Sequence, residues 1–382
     1  MDGAAVSDVV VVVGPKAIVG RRAVDADAAT IALESVDDVL ALVDDRVVSV
    51  DDLWRDVLET AVDGPCDGME LICPSWWGPS RMARVVTAAR HWCDDVVVHL
   101  RSEVLAAATV VELGSELVVV HADGRRNVIT RWSHSADVVD AVVACVEGLP
   151  AVTVDVPSGT TLLGANLVRA LRLQGVEVTI EDDRTLADAV RGSPGSETVS
   201  AHRWRPTPRT AGVIAAILTV GGMTVAGIGL DGRAAEWADV AWLVEGRVAV
   251  EVPAGWTVER ITVGPGSARV QVISPAGRTE AIQVTQSRVS DTESLESTAE
   301  ALTSALADQP GGVFVDFTAA GERANRSAVT YREVRSDRSV DWTVLLDGGV
   351  RIAIGCQGPV NGPGPEAACD RAIRSAHVVT RK

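Results

Sequence analysis

The residues of this 382-residue chain that could do chemistry are few and scattered. Gly14-Pro15-Lys16 makes a turn straight after an apolar run, and a lysine at such a turn can reach a phosphate. A lone turn lysine is more often simply solvated. Glu103 reads as a helix N-terminal carboxylate, which the helix dipole favours, before it reads as a base. His91, His99, His121 and His134 show no ligand spacing of the HExxH kind. The cysteines, Cys66, Cys73, Cys93, Cys145, Cys356 and Cys369, form no CxxC pair, so zinc is not expected. Ser158 stands in Pro157-Ser158-Gly159, without the glycines of a nucleophile elbow. The residues alone therefore identify no catalytic group and no metal site.

Elements that would position these groups alternate between strand and helix before residue 195. Val9–Val13 is β-branched throughout and reads as a buried strand. Leu53–Val62, Arg81–Trp92, Ala136–Cys145 and Leu162–Leu173 have helical spacing. Met69–Cys73, Val96–Leu100, Ala151–Val156 and Val176–Ile180 read as strands, and Val110–Leu113 with Leu117–His121 as a hairpin turning at Gly114-Ser115. Such alternation implies an α/β layer fold. After Arg247 the pattern changes to short strands, a helix over Leu295–Ala307 and a closing helix over Pro365–Ala376. That is an α+β domain with a mostly antiparallel sheet.

A formal net charge of −17, from 52 acidic against 35 basic residues, argues against nucleic acid, which needs a basic surface. Lys16 and Lys382 are the only lysines; with the Ala, Val and Asp richness this points to a GC-rich genome such as an actinobacterial one. No signal peptide is expected, since Met1-Asp2 lacks a basic region and the first apolar run is short. The uncharged stretch Ala211–Leu230 is long enough to cross a bilayer as a helix. Arg203, Arg205 and Arg209 precede it, which places residues 1–195 in the cytoplasm. The expected organisation is thus 1–195, a basic linker 196–209, a single-pass transmembrane helix 210–230 and an extracytoplasmic domain 231–382. Gly222 and Ala226 form a small-xxx-small pair suited to helix-mediated self-association. Cys356 and Cys369 are expected to form a disulfide in that outer compartment; two buried free thiols are the alternative.

The order of motifs from Leu71 to Thr109 resembles the actin-like ATPase fold, and within it the ATPase domain of seventy-kilodalton heat-shock chaperones. The shared features are Pro74-Ser75-Trp76-Trp77 after a strand, a helix starting near Arg81 with Ala88-Ala89, and Glu103 with Ala106-Ala107-Ala108. The resemblance implies an actin-like domain over about half the chain. It would place nucleotide against Gly14 and Lys16, against Glu112, Gly114 and Ser115, and against Ser158 and Gly159. Backbone N–H groups at such turns cradle phosphate where no Cβ intervenes. Two departures speak against ATP. Val12 stands where the family has the aspartate that organises hydrated Mg²⁺. Glu116 replaces a glycine and would repel a phosphate by roughly 4 kcal/mol at ~4 Å and an effective dielectric near 20. The expectation is a degenerate actin-like domain, a pseudo-ATPase with no cofactor.

Val252-Pro253-Ala254-Gly255-Trp256 and the cysteine-bearing C-terminus resemble the type VII (ESX) secretion-associated membrane proteins of actinobacteria; the outer domain also resembles the small sandwich folds of photosystem extrinsic proteins. This implies a non-enzymatic accessory component, a scaffold or sensor in the cell membrane whose partners are other secretion-system proteins. The alternative is a transmembrane chaperone-like ATPase using ATP and Mg²⁺. A third reading is a structural envelope protein that polymerises.

Overall fold

Five consecutive valines, Val9–Val13, form a strand buried along its whole length, as expected where both faces of a sheet are covered. It lies in a four-stranded sheet ordered Ile18–Val19, Val9–Val13, Cys66–Cys73, Cys93–Leu100. The last three strands run parallel, and Ile18–Val19 returns antiparallel. Helices Ala26–Glu34, Val50–Val62 and Pro79–Ala89 cover it, and Trp54 and Leu58 are fully buried against the sheet. The computed structural model describes residues 9–64, 66–132, 134–192, 240–261, 269–290, 292–307, 309–360, 362 and 364–379.

A second, eight-stranded sheet is ordered Glu177–Glu181, Ala151–Asp155, Thr109–Leu113, Leu117–Ala122, Arg125–Thr130, Val240–Glu245, Val248–Pro253, His377–Val378. The period-2 alternation of its strands decides which layer each residue joins. Val118, Val120 and Ile129 pack with helices Ser135–Cys145 and Thr161–Leu173. Val119 and Val128 turn the other way, against Val250, Val272, Ile282 and Ile354. Those last residues bring in a third sheet of seven strands, ordered Thr257–Arg260, Arg269–Ile273, Ala281–Arg288, Val350–Gly358, Ser339–Asp347, Arg326–Val334, Phe314–Arg323. It is antiparallel throughout. Helix Glu366–Ser375 lies in the same core through Cys369, Ala372 and Ile373.

This architecture corrects the expected fold class. An actin-like domain, one transmembrane helix and a separate α+β domain would place the chain before residue 210 and the chain after 230 in different layers with a bilayer between them. Instead the strand Val240–Glu245 pairs parallel with Arg125–Thr130 in the register Trp242↔Asn127, Leu243↔Val128, Val244↔Ile129, so both halves build one sheet. The physical reason is the apolar face of the strand 125–130: Val128 is buried between Leu117, Leu243 and Val250 rather than left as a sheet edge. Among the described residues no helix is long and apolar enough to cross a membrane. The segment 210–230, with Gly222 and Ala226, and the linker 196–209 lie outside the described residues. Elements beyond those expected include the strand Arg125–Thr130, the two-stranded hairpin Leu40–Val43 with Arg46–Ser49, and the helices Ala26–Glu34 and Asp183–Arg191.

Candidate functional site

At the junction of the first two sheets the three turns singled out in the sequence come together, around a guanidinium. The strand Cys93–Leu100 runs directly into a short helix, Arg101–Leu105, and so delivers Arg101 into the interior. Arg101 is fully buried. Its Nε and Nη2 donate to the two oxygens of Asp155 at 2.7 and 2.8 Å. The same Nη2 lies 2.9 Å from Asp183 Oδ1, and Nη1 donates to the Val13 carbonyl at 3.4 Å. Glu112 is the more distant partner, 3.9 Å from Nε. Asp155 ends the buried strand 151–155, Glu112 sits within the buried strand 109–113, and Asp183 opens the helix Asp183–Arg191. A buried guanidinium needs such partners, because an unpaired charge in a dry interior is very costly.

Three carboxylates surround Arg101, and burial decides how they titrate. Burial works against the arginine's own charge, but Asp155, Asp183 and Glu112 outweigh it and hold Arg101 above its usual range. Burial, with the neighbouring Asp155 charge, pushes Glu112 up to about 7 against the pull of Arg101 and Ser75. Burial raises Asp155 as well, against its two-pronged contact with Arg101. Glu112 is the carboxylate farthest from the guanidinium and gains least from its charge.

Glu112 is linked outward. Ser75 donates its N–H to Glu112 Oε1 at 3.1 Å and its hydroxyl is bonded to Oε2. The same hydroxyl lies 2.9 Å from His121 Nε2, and Arg126 Nη1 donates to the Ser75 carbonyl at 3.2 Å. Burial and the Arg126 charge lower His121 to about 4, so it is neutral near pH 7. A serine beside a neutral histidine resembles half of a hydrolytic triad, but the order is wrong. In a triad the acid orients the histidine; here Glu112 holds the serine, and Ser75 is itself buried.

The turn amides are committed to protein partners. Gly14 N–H donates to the Ala17 carbonyl and Gly114 N–H to the Leu117 carbonyl, each at 2.8 Å. Ser158 N–H donates to Asp183 Oδ2 at 3.1 Å, so a carboxylate of the chain holds the place that a phosphate would need. A Cβ at Gly114 would come within 2.6 Å of the Trp76 ring, and one at Gly159, whose φ is +87°, within 2.8 Å of Lys16 Cδ. Trp76 therefore lies on one turn and Lys16 on another. Gly14, Lys16, Glu112, Gly114, Ser158 and Gly159 all meet this cluster; Ser115 is exposed on its turn. Among the described residues no group of three or more His, Cys, Asp or Glu side chains could hold a metal ion.

The residues that organise the site, Arg101, Asp155 and Asp183, were not identified from sequence as such. One signal was available: Asp155 closes the apolar strand Ala-Val-Thr-Val-Asp, and a carboxylate there implies a partner. Outside this cluster, Cys356 is joined to Cys369, with Cα atoms 5.9 Å apart. Cys66 is joined to Cys93, its register partner on the neighbouring strand.

No family model matches the chain, and no curated protein matches it. Among solved structures, a protein from Bacteroides thetaiotaomicron VPI-5482 is similar at 9% identity and a TM-score of 0.27, over 35% of this chain and 46% of that one. The chain thus spans just under half of that protein. The cyanobacterial PsbP (CyanoP) of Synechocystis sp. PCC 6803 is similar at 16% identity and a TM-score of 0.29, over 41% of this chain and 98% of its own.

Proposed function

We propose that the chain is a non-enzymatic accessory component of a type VII secretion system, a scaffold or sensor acting at the cell membrane through other proteins of the system. The sequence resemblance over Val252–Trp256 and the cysteine-bearing C-terminus supports the machine. One structural observation carries the non-enzymatic part: the Asp183 carboxylate accepts the Ser158 N–H and pairs with Arg101. An internal anion and cation thereby fill the place where a nucleotide phosphate and its counter-charge would sit. An incoming triphosphate would have to displace a buried, paired carboxylate and leave Arg101 without one of its partners, which costs several kcal/mol.

Calorimetric titration of ATP with Mg²⁺ into the full chain tests the non-enzymatic part. The expected result is no heat at millimolar nucleotide. Micromolar binding would favour the chaperone-like ATPase instead. Deletion of the gene tests the assignment to the machine; secretion of the system's substrates that continued unchanged would remove it. Cysteine labelling from either side of the membrane, at Ser115 and at Ser327 after substitution, tests where the chain resides. Because both halves share one sheet, both labels should react from the same side.

A further inference from the structure

Two of the exposed apolar surfaces outside the ionic cluster carry opposite charge. The first is the outer face of the hairpin 40–49. Leu40 and Leu42 alternate outward with Val47 opposite Leu42, while Ala41, Val43 and Val48 pack inward. Leu40 is 58%, Leu42 60% and Val47 68% exposed, so three large aliphatic side chains share one wet face. Asp38, Asp44 and Asp45 rim this face with exposed carboxylates, against Arg46; Arg84, which donates to the Asp38 carbonyl at 2.7 Å, is already paired with Asp51. Among the described residues, both outer strand edges of this two-stranded sheet have no strand neighbour.

The second surface lies at the far end of the eight-stranded sheet. Among the described residues its terminal strand, Glu177–Glu181, has a neighbour on one side only. Between that strand and the helix Thr161–Leu173 runs a groove of about 560 Å³, floored by Gly164, Ala165 and Val168 and flanked by Leu173 and Ile180. Leu173 is 81% and Ile180 50% exposed. Among the described residues the only charged groups lining the groove are Arg169 and Arg172. Glu177 and Glu181 alternate to the opposite face of their strand from Ile180.

We infer that these two surfaces bind each other between copies of this chain: the acidic-rimmed hairpin of one copy seats its Leu40, Leu42 and Val47 in the arginine-flanked groove of the next. The charges match, an excess of two carboxylates against two guanidiniums. Each surface also ends in an unpaired strand edge, of the kind that pairs readily with another chain. Because the two surfaces differ, the contact is heterologous and extends head to tail, as a ring or an open filament. Rim arginines and carboxylates at the contact supply specificity and salt dependence more than raw strength. A patch of this size sits at the small end of protein interfaces, so association is weak, with Kd on the order of tens of micromolar.

Sedimentation velocity of the full chain in a mild nonionic detergent tests this. Wild-type protein should form species larger than a dimer as concentration rises through 100 micromolar on the order expected above, and added salt should shift the series back to monomer. Asp44→Arg with Asp45→Arg should weaken association at least tenfold, and so should Arg169→Glu with Arg172→Glu. All four positions are exposed; Asp44 and Asp45 are left-handed (φ 48° and 60°), so Asp44→Asn with Asp45→Asn, which suits that backbone, should also weaken association and separates charge from turn strain. Mixing the two charge-reversed double variants is decisive: the reversed hairpin of one and the reversed groove of the other attract, while the remaining intact hairpin and groove also fit, so the mixture must recover association that neither variant shows alone. A wild-type chain that stays monomeric, variants that assemble as the wild type does, or a mixture that stays monomeric would each overturn the inference.

Discussion

The junction around Arg101 and the core between the second and third sheets do the same structural job by opposite means. Both join two sheets. The junction does it with one guanidinium and three carboxylates, all of them buried. The core does it with aliphatic side chains, Val250, Val272, Ile282 and Ile354 among them, and with the Cys356–Cys369 link. Apolar burial is non-directional and tolerant of change. A buried ionic cluster is directional, fails badly when one partner is lost, and responds to pH. The chain thus has one joint built to hold and one whose strength depends on its protons.

The largest expected effect is at the directional joint. Arg101→Met removes the only cation among the described residues that pairs with Asp155 and Asp183, and leaves their carboxylates uncompensated. Breaking a buried pair in this way costs about 3–5 kcal/mol, read as a fall in the urea midpoint at constant m-value. The matching change in the apolar core, Ile354→Ala, should cost about 2–5 kcal/mol through lost burial and a cavity. The two are separated by pH: the cost of Ile354→Ala is the same at pH 5 and pH 8. If the cost of Arg101→Met were also the same at both, the contrast between the joints would fail.

The next effect comes from Glu112 and His121. An unfolded Glu112 ionises near 4.5 and the folded one at about 7. Between those values the folded chain holds the extra proton, so stability present at low pH is lost as pH rises, by about 1.4 kcal/mol per unit. His121 has the opposite sign. It falls from 6.5 to about 4 on folding, so the unfolded chain holds the extra proton and stability is lost as pH falls through that window. From about pH 4.5 to 6.5 the two slopes oppose each other, because folding in effect moves a proton from His121 to Glu112. Burial also raises Asp155 and Glu245; Glu245 contributes equally to every variant compared, whereas the Asp155 charge acts on Glu112 directly, so the Glu112→Gln curve carries the response of that pair. Glu112→Gln should therefore gain about 3 kcal/mol on the wild type by pH 7 and nothing near pH 4. His121→Gln should gain a similar amount near pH 4 and nothing at pH 7. Urea unfolding at half-unit intervals reads both; curves parallel to the wild type would break the proton-exchange account.

The covalent part of the apolar joint is worth slightly less. Cys356 and Cys369 are 13 residues apart, and closing a loop of that size removes about 2–3 kcal/mol of unfolded-state freedom. Cys356→Ser with Cys369→Ser should lower stability by that amount under oxidising conditions. The variant and wild type should coincide once both are reduced, because reduction opens Cys66–Cys93 equally in the two.

These two joints differ in how far the sequence announces them. The apolar core follows from local pattern: alternation marks Val248–Val252, Ser327–Val334 and Val350–Gly355 as strands, and the structure holds strands at Val248–Pro253, Arg326–Val334 and Val350–Gly358. Val9–Val13 was equally legible from its β-branched run. The ionic joint depends on pairs far apart in the chain, Arg101 with Asp155 at 54 residues and Ser75 with Glu112 at 37, and no local period reports such a pairing. The same limit hid the shared sheet. An uncharged run of twenty residues matches a membrane helix on length alone, and nothing local says that the strand beyond it pairs with residues 127–129.

The smallest effect concerns the contact between Lys16 and Gly159. A Cβ at Gly159 meets two penalties: a left-handed φ of +87° and the Lys16 side chain at 2.8 Å. The backbone part costs about 1–2 kcal/mol in Gly159→Ala whatever surrounds it. The steric part depends on Lys16, whose flexible stem can give way. Lys16→Ala alone should change stability by less than about 0.5 kcal/mol, as surface changes do. In the double variant the steric part disappears, so the two changes should cost less together than their sum, by about 0.5 kcal/mol or more. That coupling places the lysine stem on the turn, against Gly159. Strict additivity would put Lys16 in solvent and leave the filling of the turn to Asp183, which accepts the Ser158 N–H and pairs with Arg101.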